Sequence, residues 1–271
     1  MNQSQAMNPA EMYEHYFVPA MFQPWAAVLL DHAALQARER VLDLACGTGV
    51  VARQVAPLVG AEGAVVALDM NPAMLAVARA RPAPSGATIQ WQEGNAMALP
   101  FQEGGFDVVL CQHGLSFFPD RAGAVREIRR VLAPGGRALV IVLQALEQHP
   151  VFEALMTSVA RHLALPLASV MTPFALPDAD ALRNLFTEAG FQKVEILPES
   201  TTVRFLEPER FVPLAVMSSA AAVPAFAQLA APERAALIES VRADVEPVLS
   251  RYREAEAVTF PMFAHIAVAT T

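Results

Sequence analysis

Apolar residues along the chain fall into two alternating rhythms. Val41–Ala45, Ala64–Asp69, Ala87–Gln92, Phe106–Gln112 and Ala138–Leu143 are short apolar runs of strand length. Between them apolar residues recur at helical spacing: Val51, Val55 and Leu58; Met74, Val77 and Ala78; Ala124, Val125, Ile128, Val131 and Leu132. Asn71-Pro72 reads as a helix cap followed by proline at the first helical position, and Asp120 can cap the next helix. Leu132-Ala133-Pro134-Gly135-Gly136 signals a turn leading into the fifth strand. Upstream, residues 10–36 read as helical, with Trp25, Val28, Leu29 and Leu30 as the packing face. Downstream, residues 148–176 are apolar and broken by prolines. Asp178 then caps a helix with Leu182, Leu185 and Phe186 inside, ended by Gly190. Phe191–Leu197 and Val258–Thr270 read as two last strands. They are separated by helix-like sequence in which Leu237, Ile238, Val241 and Val245 share a face.

Strands interleaved with helices predict right-handed crossovers and a mostly parallel α/β sheet. The unbroken apolar character of the runs predicts strands covered on both faces. The expected organisation is one domain over residues 1–271, with a core at 35–145. Helical insertions at 146–177 and 205–257 follow the fifth and sixth strands and are expected to fold over the carboxyl edge as a lid.

Composition narrows the partners. The 271 residues carry a net charge of -8 and no basic run, which argues against nucleic acid, because phosphate binding draws on clustered Lys and Arg. The two cysteines, Cys46 and Cys111, lie in apolar segments and read as free buried thiols, so a cytoplasmic location is expected. The first residues show neither the basic nor the apolar region of a signal peptide. The uncharged run Phe211–Pro232 is long enough to span a bilayer. It is broken by Pro213 and Pro224 and holds Ser218 and Ser219, so it reads as a buried or lid helix and no membrane contact is expected. No Cys/His spacing suggests zinc.

The stretch with the clearest chemistry is VLDLACGTGVVA, Val41 to Ala52. Gly47-Thr48-Gly49 followed by Ala52 fits a glycine-rich strand-to-helix turn that lets a ligand approach backbone, with free N–H groups at the next helix start. Asp69, 22 residues after Gly47 at the end of the next strand, can accept hydrogen bonds from both hydroxyls of a ribose. Asp43, just upstream of the turn, would repel a pyrophosphate but suits a ligand bearing an ammonium and a sulfonium.

That description fits S-adenosylmethionine. The stretch resembles the first motif of class I S-adenosylmethionine-dependent methyltransferases, an acid followed by three glycines at alternate positions, with Ala45 where the first glycine usually stands. Ala67-Leu68-Asp69-Met70 looks like the family's second motif, which implies that Asp69 binds the ribose and Met70 packs on the adenine. Gly94-Asn95-Ala96 before Leu99-Pro100-Phe101 looks like the third-strand exit, with Asn95 in place of the usual acid as acceptor for the adenine amino group. Phe106–Pro119 and the LAPGG turn continue the likeness, which covers residues 35–145 and is closest to the branch that includes ubiquinone and menaquinone biosynthesis methyltransferases. It implies a doubly wound, Rossmann-like, seven-stranded sheet with an antiparallel last strand. The expected cofactor set is Asp43, Ala45, Gly47, Gly49, Asp69, Met70, Asn95, Ala96, Gln112 and Tyr16. Gln112 shapes the methionine end, and Tyr16 lies on an N-terminal segment that often closes over the cofactor in this family.

Methyl transfer is an in-line displacement at carbon that needs alignment and exclusion of water more than it needs side-chain chemistry. His113, just past the fourth strand, is the candidate general base, with a packing histidine as the other reading. His149 and His162 are further residues that could reach a substrate. The Phe-, Met- and Pro-rich insertions, uncharged over Phe211–Pro232, favour a small hydrophobic or aromatic acceptor, and the oligomer is expected to be a monomer or homodimer. An NAD(P)-dependent oxidoreductase is the rival enzyme class, and it would want a Tyr-x-x-x-Lys pair. Tyr13, Tyr16 and Tyr252 are the three tyrosines, and none has Lys four residues on. A non-catalytic protein that kept the pocket is the third reading.

Overall fold

The computed structural model describes residues 7–219 and 223–271. The first six residues of the N-terminal reading, and residues 220–222 of the uncharged run, lie outside the described residues. Seven strands, β1 (Arg40–Leu44), β2 (Ala64–Asp69), β3 (Ile89–Glu93), β4 (Phe106–Gln112), β5 (Leu132–Leu143), β6 (Lys193–Leu206) and β7 (Ala257–Thr270), form one sheet in the order β3-β2-β1-β4-β5-β7-β6. β1 pairs in parallel with β2 and β4, β2 with β3, and β4 with β5, whereas β7 runs antiparallel to β5. The helices are α1 (Pro9–Met12), a π-helix at Tyr13–Phe22, α2 (Gln23–Ala33), α3 (Val50–Val59), α4 (Pro72–Ala80), α5 (Arg121–Val131), α6 (Pro150–His162), α7 (Ala179–Glu188), α8 (Pro208–Ser219), α9 (Pro224–Ala227) and α10 (Ala231–Leu249). This is the expected doubly wound, mostly parallel α/β sheet. Among the described residues no helix is long and apolar enough to cross a membrane.

The chain divides into two compact units, one of Met1–Met21, Ala145–Thr172 and Thr201–Met262, the other of Phe22–Gln144, Pro173–Ser200 and Phe263–Thr271. In the second unit, Leu42, Leu44, Val109 and Cys111 of the parallel strands meet Ala124, Val125, Ile128 and Val131 of α5 and Leu182 and Phe186 of α7, all fully buried. Each such aliphatic side chain contributes about 1.5–3 kcal/mol through burial. Asp120 and Asp178 cap α5 and α7 as expected, accepting from the N–H of Gly123 at 2.7 Å and of Ala181 at 2.6 Å. In the first unit, Phe152, Phe205, Phe211 and Phe260 meet edge to face at 5.3 to 5.7 Å, and Asp244 of α10 accepts from Ser158 (2.6 Å), Arg161 and His162 (2.9 Å) of α6.

Several elements depart from the sequence pattern. The single helix expected over 10–36 is three segments, and the π-helical middle one contains Pro19, whose ring and missing N–H disfavour the ordinary i→i−4 ladder. The buried stripe of α2 is Trp25, Ala26, Leu29 and Ala33, leaving Val28 and Leu30 half-buried. Likewise α3 buries Val59 and exposes Leu58, and α4 buries Leu75 in place of Met74 and Val77. The LAPGG segment is an interruption within β5: Leu132 pairs with Phe106, the register shifts, and Arg137 pairs with Val108. β6 runs to Leu206, through Pro198; it is the sheet's edge strand, a position that tolerates proline.

Candidate functional site

After the exposed Arg40 at its start, β1 is apolar except for Asp43, which is 1% exposed in mid-sheet. Its Oδ2 accepts the N–H of Ala52 at 2.9 Å, the third residue of α3. The carboxyl therefore serves as a remote N-cap, at the positive end of the helix dipole. Burial pushes this acid up to about 7; the Ala52 bond and the nearby Arg53 oppose the rise and the charge of Asp69 adds to it.

Between β1 and α3 the chain bends through three left-handed residues, Ala45 (φ 56°), Gly47 (φ 55°) and Gly49 (φ 84°). Glycine reaches this region freely, whereas an alanine there costs roughly 1–2 kcal/mol. The methyl of Ala45 fits because Gly114 lies opposite: a Cβ built on Gly114 would stand 2.6 Å from that of Ala45. Asp69, at the tip of β2, fixes the bend from the neighbouring strand. Its Oδ2 accepts the Gly47 N–H at 2.7 Å and its Oδ1 the Asn71 N–H at 2.8 Å, while Cys46 N–H donates to the Leu68 carbonyl at 3.0 Å. Both cysteines are free and buried.

The other predicted residues sit at the same carboxyl ends. Met70 follows Asp69 and is 75% exposed. Gly94 N–H donates to the Asp69 carbonyl at 3.1 Å, which brings the β3 exit to β2. The side-chain oxygen of Asn95 accepts the Met97 N–H at 2.9 Å, so one of its lone pairs is already used in a local turn, and Ala96 is buried. At the end of β4, the Gln112 Nε2 donates to the Phe22 carbonyl at 2.9 Å, while its buried Oε1 has no hydrogen-bond partner among the described residues.

His113 is itself left-handed (φ 58°), its N–H donating to the Ile141 carbonyl at 2.9 Å. Its ring stands edge-on to Phe22 (5.9 Å) and Trp25 (5.7 Å), with both ring nitrogens buried. Tyr16 belongs to the first unit, where it stacks on Phe205 at 6.0 Å under the guanidinium of Arg210. His149 is buried, with Nδ1 2.9 Å from the Ala145 carbonyl, and His162 meets Asp244 at 2.9 Å; both histidines are engaged within the first unit. The second unit thus brings together the acids, the glycine bend, Met70, Asn95, Ala96, Gln112 and His113. Sequence reasoning missed the cap from Asp43 to Ala52 and the Trp91 indole, which lies against Gly49. A lone aromatic in mid-strand carries no signal of such a contact.

Comparison with known proteins places the chain in a family. The model of the ubiE/COQ5 methyltransferase family matches residues 18–203. The chain belongs to that family. Among ubiE/COQ5 relatives, the demethylmenaquinone methyltransferase of Lactococcus lactis is 37% identical over 171 residues, covering 57% of this chain and 66% of that protein. The 2-phytyl-1,4-naphtoquinone methyltransferase of Synechococcus elongatus is 40% identical over 119 residues, covering 43% of this chain and 51% of its own length. The chain thus spans between about half and just under two thirds of these relatives. Among solved structures, phosphoethanolamine N-methyltransferase 2 of Haemonchus contortus, in complex with S-adenosyl-L-methionine, superposes with a TM-score of 0.58 at 16% identity, covering 99% of this chain and 58% of that one; this likeness is one of fold.

Proposed function

We propose that this ubiE/COQ5 family member transfers a methyl group from S-adenosylmethionine to a small hydrophobic acceptor of quinol type. The observation that carries the reading is the pairing of two buried acids, Asp43 and Asp69, on either side of a left-handed glycine bend. The residues fit that cofactor. Each Asp69 oxygen accepts one backbone N–H and keeps a second lone pair for a ribose hydroxyl. The buried, unpartnered Gln112 Oε1 calls for a donor, which the ammonium of the methionine tail supplies. Asp43 offsets positive charge in a dry setting, where a pyrophosphate would be repelled, and this favours the reading over a dinucleotide. Met70 offers an exposed thioether side chain to the adenine face.

When bound, the cofactor supplies an electrophilic methyl on a sulfonium leaving group. The chain's own work is then to bind, align and keep out water, effects worth up to roughly 7–11 kcal/mol in model reactions. His113, held edge-on to Phe22 and Trp25, serves this reading as a wall residue that shapes the end of β4, in keeping with the packing role left open by the sequence. The quinol class rests on the names of the relatives and on the apolar composition of residues 146–177 and of the uncharged run Phe211–Pro232. The test is transfer of labelled methyl from S-adenosylmethionine to a panel of reduced naphthoquinones, benzoquinones, simple phenols, amines and thiols. Label in the quinols is the expected outcome. Label confined to amines or thiols would refute the acceptor class, and cofactor binding without transfer to any acceptor would favour a non-catalytic protein.

A further inference from the structure

Asp43, Ala67 and Trp91 occupy one rung of the sheet, on β1, β2 and β3. Two of the three side chains meet the start of α3. Asp43 accepts the Ala52 N–H, and the six-membered ring of Trp91 lies so close to Gly49 that a Cβ built there would overlap its Cη2 and Cζ3 atoms. Arg53 closes the arrangement: its Nη1 donates to the Thr48 carbonyl and would stand 3.2 Å from the same built Cβ. The backbone behind the indole is also tied, since Arg79 Nη2 donates to the Trp91 carbonyl at 3.2 Å. The glycine bend is therefore held on two sides. The Asp69 carboxylate grips it at Gly47, and a flat, half-buried aromatic plate supports it at Gly49.

We infer that Trp91 is a positioning residue for the cofactor: its indole sets where the Gly47–Gly49 backbone stands relative to Asp43 and Asp69, without itself touching the ligand. The inference rests on the S-adenosylmethionine reading of that bend. A planar ring can lie against a residue with no side chain. A branched aliphatic, smaller and not flat, cannot offer that face, so the loop would settle differently over the same sheet.

The test is calorimetric titration of S-adenosylhomocysteine into the wild-type chain, Trp91→Phe and Trp91→Leu, well below each unfolding temperature, with steady-state kinetics in S-adenosylmethionine alongside. Trp91→Phe keeps a flat ring but lacks the Cη2–Cζ3 edge that meets Gly49, and is expected to bind more weakly than wild type by no more than about threefold. Trp91→Leu is smaller and removes the plate altogether, and is expected to bind at least about tenfold more weakly, with KM for the cofactor raised and kcat at saturation retained. A folded Trp91→Leu that binds as wild type, or that loses kcat with KM unchanged, overturns the inference and leaves the cofactor reading intact. Failure of the wild-type chain to bind S-adenosylhomocysteine overturns the cofactor reading and the inference together.

Discussion

Asp43→Asn isolates what the buried acid costs the fold. The carboxyl is 1% exposed, and the one hydrogen bond described for it comes from the Ala52 N–H. Burial raises it from 3.8 to about 7. Between these values the folded chain holds a proton that the unfolded chain has released, so stability falls as pH rises through that window, and the full penalty is present above it. At about 1.4 kcal/mol per pH unit the penalty approaches about 4 kcal/mol. Asparagine keeps an oxygen for the Ala52 N–H and carries no charge at any pH, and its amide stands in for the protonated acid. The assay is urea unfolding of the ligand-free wild type and Asp43→Asn at pH 5, 6, 7 and 8, where every other titrating group contributes equally to both. The variant is expected to gain on the wild type between pH 5 and pH 7 and then to level, by about 2.5 kcal/mol between the ends, the remainder of the penalty having built up below pH 5. A stability difference that stays flat from pH 5 to pH 8, or one that moves in favour of the wild type, would refute the reasoning.

Three further outcomes follow from the same geometry. A cationic ligand beside Asp43 favours its ionised form, so S-adenosylmethionine affinity is expected to rise with pH up to about 7 and then level; calorimetry in buffers of different ionisation enthalpy should show proton release below that pH, and a pH-independent affinity would contradict it. Asp69→Ala removes a carboxylate that holds Gly47 and Asn71, and should weaken S-adenosylhomocysteine binding by about 1–3 kcal/mol, the scale of a lost charged hydrogen bond; near-unchanged affinity would remove the ribose assignment. His113→Phe preserves an aromatic ring beside Phe22 and Trp25 and is expected to keep kcat within about tenfold, whereas loss of a general base costs about 10²–10⁴-fold.

The parts of this molecule legible in sequence are those in which one chemical signal dominates. β1, β2 and β4 are continuous apolar runs because both faces are covered, and Asp120 and Asp178 stand where helices need acceptors. The glycines at 47 and 49 announce the left-handed bend, but Ala45 and His113 adopt the same region with side chains that give no warning, stabilised by Gly114 opposite and by the Ile141 carbonyl. The sequence pattern ends β6 at Leu197 because Pro198 disfavours a strand, whereas an edge strand tolerates it, and edge position is a property of the assembled sheet. Trp25, Leu29, Val51, Val55 and Ala78 lie inside as the pattern predicts, while Val28, Leu30, Leu58, Met74 and Val77 are less buried, because alanines fill buried sites as readily as larger residues: Ala26, Ala33, Ala52 and Ala56 all lie inside. Asp43 shows the same limit at the site. Its charge pointed toward a cationic ligand, while its bond to Ala52, which makes it also a helix cap, depends on where α3 begins in space.

The central claim is that the bend between Asp43 and Asp69 is built for an adenosyl group joined to an ammonium-bearing tail, and not for a dinucleotide. Calorimetric titration of the purified chain with S-adenosylhomocysteine and, separately, with NAD tests it most directly. A single saturable site for S-adenosylhomocysteine, weakened in Asp69→Ala and not competed by NAD, is the predicted result. Saturable binding of NAD with no response to S-adenosylhomocysteine would contradict the account.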